Sequence, residues 1–199
     1  MPRTDARGGP QTRQRISNVA TQLFIERGFD AVTVAEIARA AGVSSVTVFN
    51  HFPRKEDLLL DRAGDGEELL QQAIRDRGEL SVLESLQRMA LRLAEEGQAF
   101  AFLSPDAGPF FRTVAASPAL IARAREIAAN LQRTLAEELQ RDARFTGDPA
   151  LFAALFVAGY TTVALENARR LIDGEAPKSI EADHGVRVER LFGALRSGV

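Results

Sequence analysis

The stretch from Thr33 to Leu59, TVAEIARAAGVSSVTVFNHFPRKEDLL, constrains the fold of this chain more than any other. It reads as two short helices joined by a tight turn, with a third beginning beyond. Thr33 can cap the first helix while Glu36 reaches back to it, a capping box, and Val34, Ile37, Ala38 and Ala41 recur at helical spacing to give one buried face. Gly42 supplies the backbone freedom of a sharp turn, Val43 packs into the angle, and Ser44 can accept from the first amides of the second helix. There, Val48 and Phe52 stand four apart and point inward, whereas Ser45, Val46, Phe49 and Asn50 share the other side, with no charge to repel a polyanion. Pro53 ends the helix, and Arg54 and Lys55 add positive charge where the next begins. This is the layout of a helix-turn-helix, whose second helix enters the major groove of DNA. In that role Ser45, Val46, Thr47 and Asn50 face base edges, Thr33, Ser44, His51 and Lys55 hold phosphates, and Phe49 packs against the duplex.

The run GVSSVTVFNHFPRKEDLL resembles the signature of the tetracycline-repressor (TetR) family: a Gly-Val-Ser turn, a recognition helix ending in an aromatic, a His and a Phe, then a Pro, a Lys and an acidic-apolar run. The likeness extends from about Thr12 to Leu60. It departs at three positions, with Ser45 where the family usually has Lys, Val46 where it has Gly, and Phe49 where it has Tyr. The resemblance implies an amino-terminal three-helix DNA-binding domain followed by a larger helical domain that binds a ligand and pairs with a twin through its last two helices. It also implies that His51 contacts a phosphate, and that a homodimer binds a palindromic operator and is released by a small effector.

The rest of the chain is helical in pattern. Residues 1–10 hold Pro2, Gly8, Gly9 and Pro10 with Arg3 and Arg7, and read as a flexible basic arm that can follow a DNA backbone. Residues 11–55 form the DNA-binding domain and 56–199 the ligand-binding and dimerisation domain. The first helix runs from Thr12 to Gly28 with Ile16, Ala20, Leu23 and Phe24 buried, and Arg13 and Arg15 at its start are free for a phosphate. A fourth is expected from Arg54 to Arg77, bent between Arg62 and Glu67 because Gly64 and Gly66 weaken it. Later helices begin at Ser81, at Ser117-Pro118 and at Asp148-Pro149, and the last covers Ile180–Leu195. The fold class is all-α, near nine helices.

Charge is asymmetric: residues 1–55 hold eight basic side chains against four acidic ones, within a chain whose net charge is −2. The attractive field therefore lies at the amino-terminal end, where a phosphate backbone needs it. Cysteine is absent, which excludes disulfides and thiolate metal sites, and MPRTDARGGPQTR has no apolar core of a signal peptide, so a cytoplasmic address is expected. The longest uncharged run, 149–165, is short of a bilayer span and reads as a buried or interface helix. No nucleophile elbow, Walker loop or dinucleotide fingerprint occurs, so no enzyme, cofactor or metal is expected. His184 reads as part of a solvated helix start.

Eight of the twelve Phe lie beyond residue 99, and Phe152, Phe156 and Tyr160 form one helix stripe. The segment 100–111, broken by Ser104, Pro105, Gly108 and Pro109, suits a pocket wall. Met89, Phe102, Phe110, Phe111, Phe156 and Tyr160 are the expected wall residues, with Arg92, Thr113 or Asn167 as polar contacts and a small hydrophobic ligand as the occupant. Pairing with a second copy is expected through the small residues Ala154, Ala158, Gly159 and Thr162 and the apolar Val186, Leu191, Phe192 and Leu195. Rival readings are a constitutive regulator or activator with a filled core, and a helical carrier or enzyme with a vestigial DNA-binding motif.

Overall fold

A computed structural model describes residues 9–97, 99–101, 103–104 and 107–198. Most of the basic arm and Phe102 lie outside the described residues. Among them are nine α-helices and no strand: α1 Gly9–Arg27, α2 Val34–Ala40, α3 Ser45–His51, α4 Ala63–Arg75, α5 Val82–Glu95, α6 Gly108–Ala115, α7 Pro118–Arg141, α8 Pro149–Ile172 and α9 Pro177–Gly198. The chain divides into two compact units. The first holds residues up to Asp61 together with Arg112–Arg123, and the second holds Arg62–Phe111 and the residues from Ala124 onward. The division therefore falls at residue 61 rather than 55, and a strip from mid-chain joins the amino-terminal unit.

In the first unit Ile16, Ala20 and Phe24 of α1 are fully buried, with Val32, Ile37, Val48 and Leu120. α1 stops at Gly28, whose φ of +85° suits only glycine at low strain and lets its amide reach the Phe24 carbonyl at 2.9 Å. Arg13 does not wait for a phosphate. Its guanidinium lies 4.1 Å from the Phe52 ring centre and donates to the His51 carbonyl, fastening α1 to the end of α3. Arg123 closes the mid-chain strip onto the unit through a 2.8 Å hydrogen bond to Asp57.

The long fourth helix expected from Arg54 is not formed. A single 3-10 turn, Glu56–Leu58, comes first, and α4 starts only at Ala63. There the Leu58 and Leu59 amides bond only three residues back, to the Lys55 and Glu56 carbonyls at 3.1 and 3.2 Å, and this tight turn buries both side chains, at 1% and 4% exposure. Nor do Gly64 and Gly66 break α4. They lie in its first turn, and Gly66 is there for close approach, because a Cβ would come within 3.2 Å of both Phe100 and Leu131.

The second unit packs α4, α5, α7, α8 and α9 around Leu70, Leu86, Leu135, Phe156, Val188 and Phe192. Ser81 and Glu84 form the expected capping box on α5, and Asp148 caps α8 by accepting from the Ala150 and Leu151 amides. α8 is long and apolar enough to cross a bilayer by length and composition, yet its Phe152, Phe156, Val163 and Leu171 face lies in this core. Gly159 admits Leu191 of α9 so closely that a Cβ would sit 2.3 Å from Leu191 Cδ1, while Phe192 and Leu195 are buried. These residues, expected on a partner surface, instead pack α8 and α9 of one chain together.

His184 is not solvated either; it is 1% exposed. α9 begins at Pro177, which places His184 two turns in, on the inward face shared with Ile180 and Val188. The Asn167 amide Nδ2 donates to the Ala101 carbonyl at 2.9 Å and faces His184 Nδ1 at 2.8 Å, so that ring nitrogen accepts and the imidazole is neutral. Burial, helped by the Arg187 charge, pushes the His184 pKa below its ordinary value. Near pH 6 the folded chain thus binds fewer protons than the unfolded one, and stability rises with pH there. Its contribution is complete above the unfolded value of about 6.5 and drains as pH falls below it toward the lower folded value. A His184→Gln variant should flatten this part of a stability profile measured by urea unfolding between pH 5 and 7.5; an unchanged slope would contradict the assignment.

Candidate nucleic-acid interface and effector cavity

The turn between α2 and α3 is set by three local devices. The Thr33 amide donates to the Glu36 carboxylate at 2.8 Å and the Thr33 hydroxyl accepts from the Glu36 amide at 3.2 Å, starting α2. Gly42, at φ +66°, turns the chain, and the Val43 amide returns to the Ala38 carbonyl at 2.9 Å. Ser44 then caps α3 by accepting from the Thr47 amide at 3.0 Å. Val48 and Phe52 hold α3 to the core at 0% and 1% exposure, which turns the opposite side outward. On that side Val46 is 68% exposed and Phe49 50%, Asn50 is exposed, and Ser45 and Thr47 are half-buried.

The expected phosphate contacts divide. Ser44 and Thr47 hydroxyls stand 2.9 Å apart at the start of α3, and His51 is its half-buried last residue. Thr33 has its hydroxyl proton committed to the Glu36 carboxylate at 2.8 Å, leaving none to donate to a phosphate. The Thr33 amide, then the Arg27 guanidinium and the Thr33 hydroxyl, hold the Glu36 carboxyl down at about 2, so this spot stays anionic at any working pH. Lys55 donates to the Phe29 carbonyl at 2.6 Å and lies 4.2 Å from the Phe29 ring centre, a tether that sequence spacing does not reveal. Desolvation there lowers its pKa, against the pull of Asp30, Glu56 and Glu36. An ammonium has three donors, so the tether leaves N–H groups for a phosphate. The roles of Arg13 and Arg123 were not legible, because each depends on a partner 38 or more residues away.

In the second unit a cavity of about 60 Å³ lies between α4, α5, α7 and α8. Met89, Phe156 and Tyr160 line it as expected; Phe110 and Phe111 do not, and stack edge-on with ring centres 5.3 Å apart, Phe111 turned into the core. The rest of the wall was not anticipated and includes Leu69, Leu70, Leu93, Leu131 and above all Phe100, whose carbonyl accepts from the Tyr160 hydroxyl at 3.3 Å. Burial pushes the Tyr160 phenol well above its usual pKa, so it stays a neutral donor. Of the expected polar contacts, Arg92 is exposed, Thr113 belongs to the first unit, and Asn167 is engaged with Ala101 and His184. A wider open groove of about 570 Å³ runs along Leu80–Glu84, Arg144–Gly147 and Leu195. Among the described residues no group of three or more His, Asp or Glu could hold a metal.

An uncharged, outward-facing second helix braced by a capped first helix and a glycine turn defines a helix-turn-helix DNA-binding domain. Residues 16–61 match the family model described as "Bacterial regulatory proteins, tetR family", so the likeness to that family lies in this amino-terminal domain. It is 40% identical over 58 residues to the HTH-type transcriptional repressor KstR2 of Rhodococcus jostii, a match covering 29% of this chain and 28% of that one. The chain spans about a quarter to a half of the length of the curated relatives it matches, all of them transcriptional regulators or repressors by name. Over whole chains it is similar to FadR of Thermus thermophilus, a TetR-family repressor solved with lauroyl-CoA, at 26% identity, 94% coverage of each chain and a TM-score of 0.57. The repressor NalD of Pseudomonas aeruginosa shares the fold at 20% identity, 92% and 96% coverage and a TM-score of 0.59.

Proposed function

We propose that this protein is a cytoplasmic transcriptional repressor that binds a palindromic operator as a homodimer through residues 33–55 and leaves it when a small hydrophobic ligand enters the second unit. The observation that carries the DNA-binding part is the α3 surface: the inward pair Val48 and Phe52 is buried while Val46, Phe49 and Asn50 are offered outward without a charge. Asn50 has the paired donor and acceptor that match adenine N7 and N6. Ser44, His51 and the remaining N–H groups of Lys55 are assigned to phosphates.

Dimerisation is supported by an outward stripe on α8, Leu151, Leu155, Ala158, Thr162 and Leu165, all exposed and spaced alternately four and three apart. That is the spacing of a helix seam awaiting another helix. Effector binding is supported by the cavity lined by Met89, Phe156 and Tyr160. At about 60 Å³ it is far below the roughly 300–1,000 Å³ of ligand sites, so a ligand enters by displacing the Phe100 ring. The ligand-bound relative FadR makes acyl chains the first compounds to try.

The test is fluorescence anisotropy with duplexes from around the coding region, across salt and with lauroyl-CoA or other apolar compounds added. Sequence-selective, salt-dependent binding that a ligand abolishes is expected; binding no tighter than to heparin would overturn the reading. Ser45→Lys restores the ammonium the family usually carries there, and it should tighten binding at 0.1 M salt severalfold while steepening the log K against log salt slope by about 0.9. An unchanged slope would place residue 45 away from the backbone.

A further inference from the structure

Of the large apolar side chains left exposed in the first unit, Ile25, Val46 and Phe49, two stand on one face of α3, three residues apart. Neither has a polar atom to offer a base edge, and both are held outward because Val48 and Phe52 fix the helix by its other side. Side by side, at 68% and 50% exposure, Val46 and Phe49 make a small apolar patch at the centre of the outward face of α3, the kind of patch that marks a contact surface. In the major groove the apolar group on offer is the C5-methyl of a pyrimidine, since every other base edge there presents donors and acceptors. Three residues of helix advance about 4.5 Å, close to the roughly 3.4 Å between successive bases, so the two side chains address neighbouring steps. Asn50 follows Phe49 directly and lies one turn beyond Val46, where it can take an adenine adjoining the methyl-bearing base.

We propose that Val46 and Phe49 form a methyl reader, so that the protein recognises its operator through the C5-methyl groups of neighbouring pyrimidines in each half-site, beside an adenine held by Asn50. The inference rests on the DNA-binding reading above and deepens it. The shared chemistry is the methyl, which thymine carries and cytosine acquires when methylated. At such a step 5-methylcytosine substitutes for thymine in part, whereas cytosine and uracil do not.

The experiment uses the full chain. An operator is first selected from a random duplex pool, and each thymine is then replaced singly by deoxyuridine, which removes the methyl and leaves the pairing unchanged. Loss at one or two thymines per half-site should be about fourfold each, the cost of one unburied methyl-sized group, and near unity elsewhere. Placing 5-methylcytosine opposite guanine at those steps should bind severalfold tighter than cytosine. In Val46→Ser the distinction between thymine and deoxyuridine at one step should vanish, and Phe49→Ser should erase it at the neighbouring one. Both side chains are at least half exposed, so a thermal melt should report folded variants. Sequence-selective binding that is indifferent to every deoxyuridine would overturn the methyl reader and leave the repressor reading standing. Failure to select any duplex would overturn both.

Discussion

The double variant Leu155→Glu with Leu165→Glu should be monomeric and should lose operator binding by a factor of about a hundred or more at moderate salt, since a second linked half-site is worth about 10²–10⁴ in avidity. Both leucines are exposed on α8, at 41% and 58%, and neither belongs to the buried core of the second unit. The unit itself should therefore fold, with an unchanged helical spectrum. Burying a leucine is worth about 1.5–3 kcal/mol, and a two-fold axis counts each twice. In the proposed dimer the glutamates would set like charges against each other across that axis. Light scattering gives the mass and anisotropy the affinity, and a dimer that survives with full affinity would move the pairing surface off α8. Substituting Ala194, on an exposed face of α9, by Glu serves as the control, since nothing apolar of size stands there.

Arg77→Met should destabilise the second unit by about 3 kcal/mol, the cost of stranding a buried charge. Arg77 and Asp142 have side chains only 5% and 12% exposed, with guanidinium nitrogens at 2.9 and 2.7 Å from one carboxylate oxygen, and the guanidinium also donates to the Leu80 carbonyl. Burial pushes the Asp142 carboxyl up, but Arg77, the Arg144 amide and the Arg144 charge more than offset it and hold the pKa below its usual range. Remove Arg77 and the desolvated carboxylate keeps only the Arg144 contacts. In a chain of this size the loss lowers the melting temperature by roughly 6–12 °C. Arg77→Met combined with Asp142→Leu should recover most of it, because an apolar pair of similar volume avoids the desolvation that the ion pair must overcome. Equal melting of the single and double variants would show that the stranded charge is not the source.

What was legible in the sequence was whatever is written in neighbouring residues. The capping boxes at Thr33/Glu36 and Ser81/Glu84, the Gly42 turn, and the start of α8 at Asp148-Pro149 all depend on side chains within three or four positions of one another, and each is in place. The all-helical class followed from periodicity for the same reason. What was illegible depends on distant partners. Whether Arg13 meets a phosphate or the Phe52 ring, whether Lys55 is free or tied to Phe29, and whether Gly66 bends a helix or admits Phe100 are decided by side chains far along the chain. His184 was misread for a smaller reason: α9 starts three residues earlier than its apolar pattern suggests, and that carries the ring from a helix end to an inward face. In the cavity, the residues on regular helices, Met89, Phe156 and Tyr160, were readable, whereas Phe100 sits in a 3-10 turn whose facing no periodicity encodes.

The strip Arg112–Arg123 gives the amino-terminal unit a seam that a linear map does not show. Leu120 is wholly enclosed and Arg123 is bonded to Asp57. A fragment cut after Asp61 would therefore keep the whole of α3 and still lack part of its own wall, leaving an apolar scar. Anyone grafting this unit onto a different protein must transplant two pieces of chain, not one.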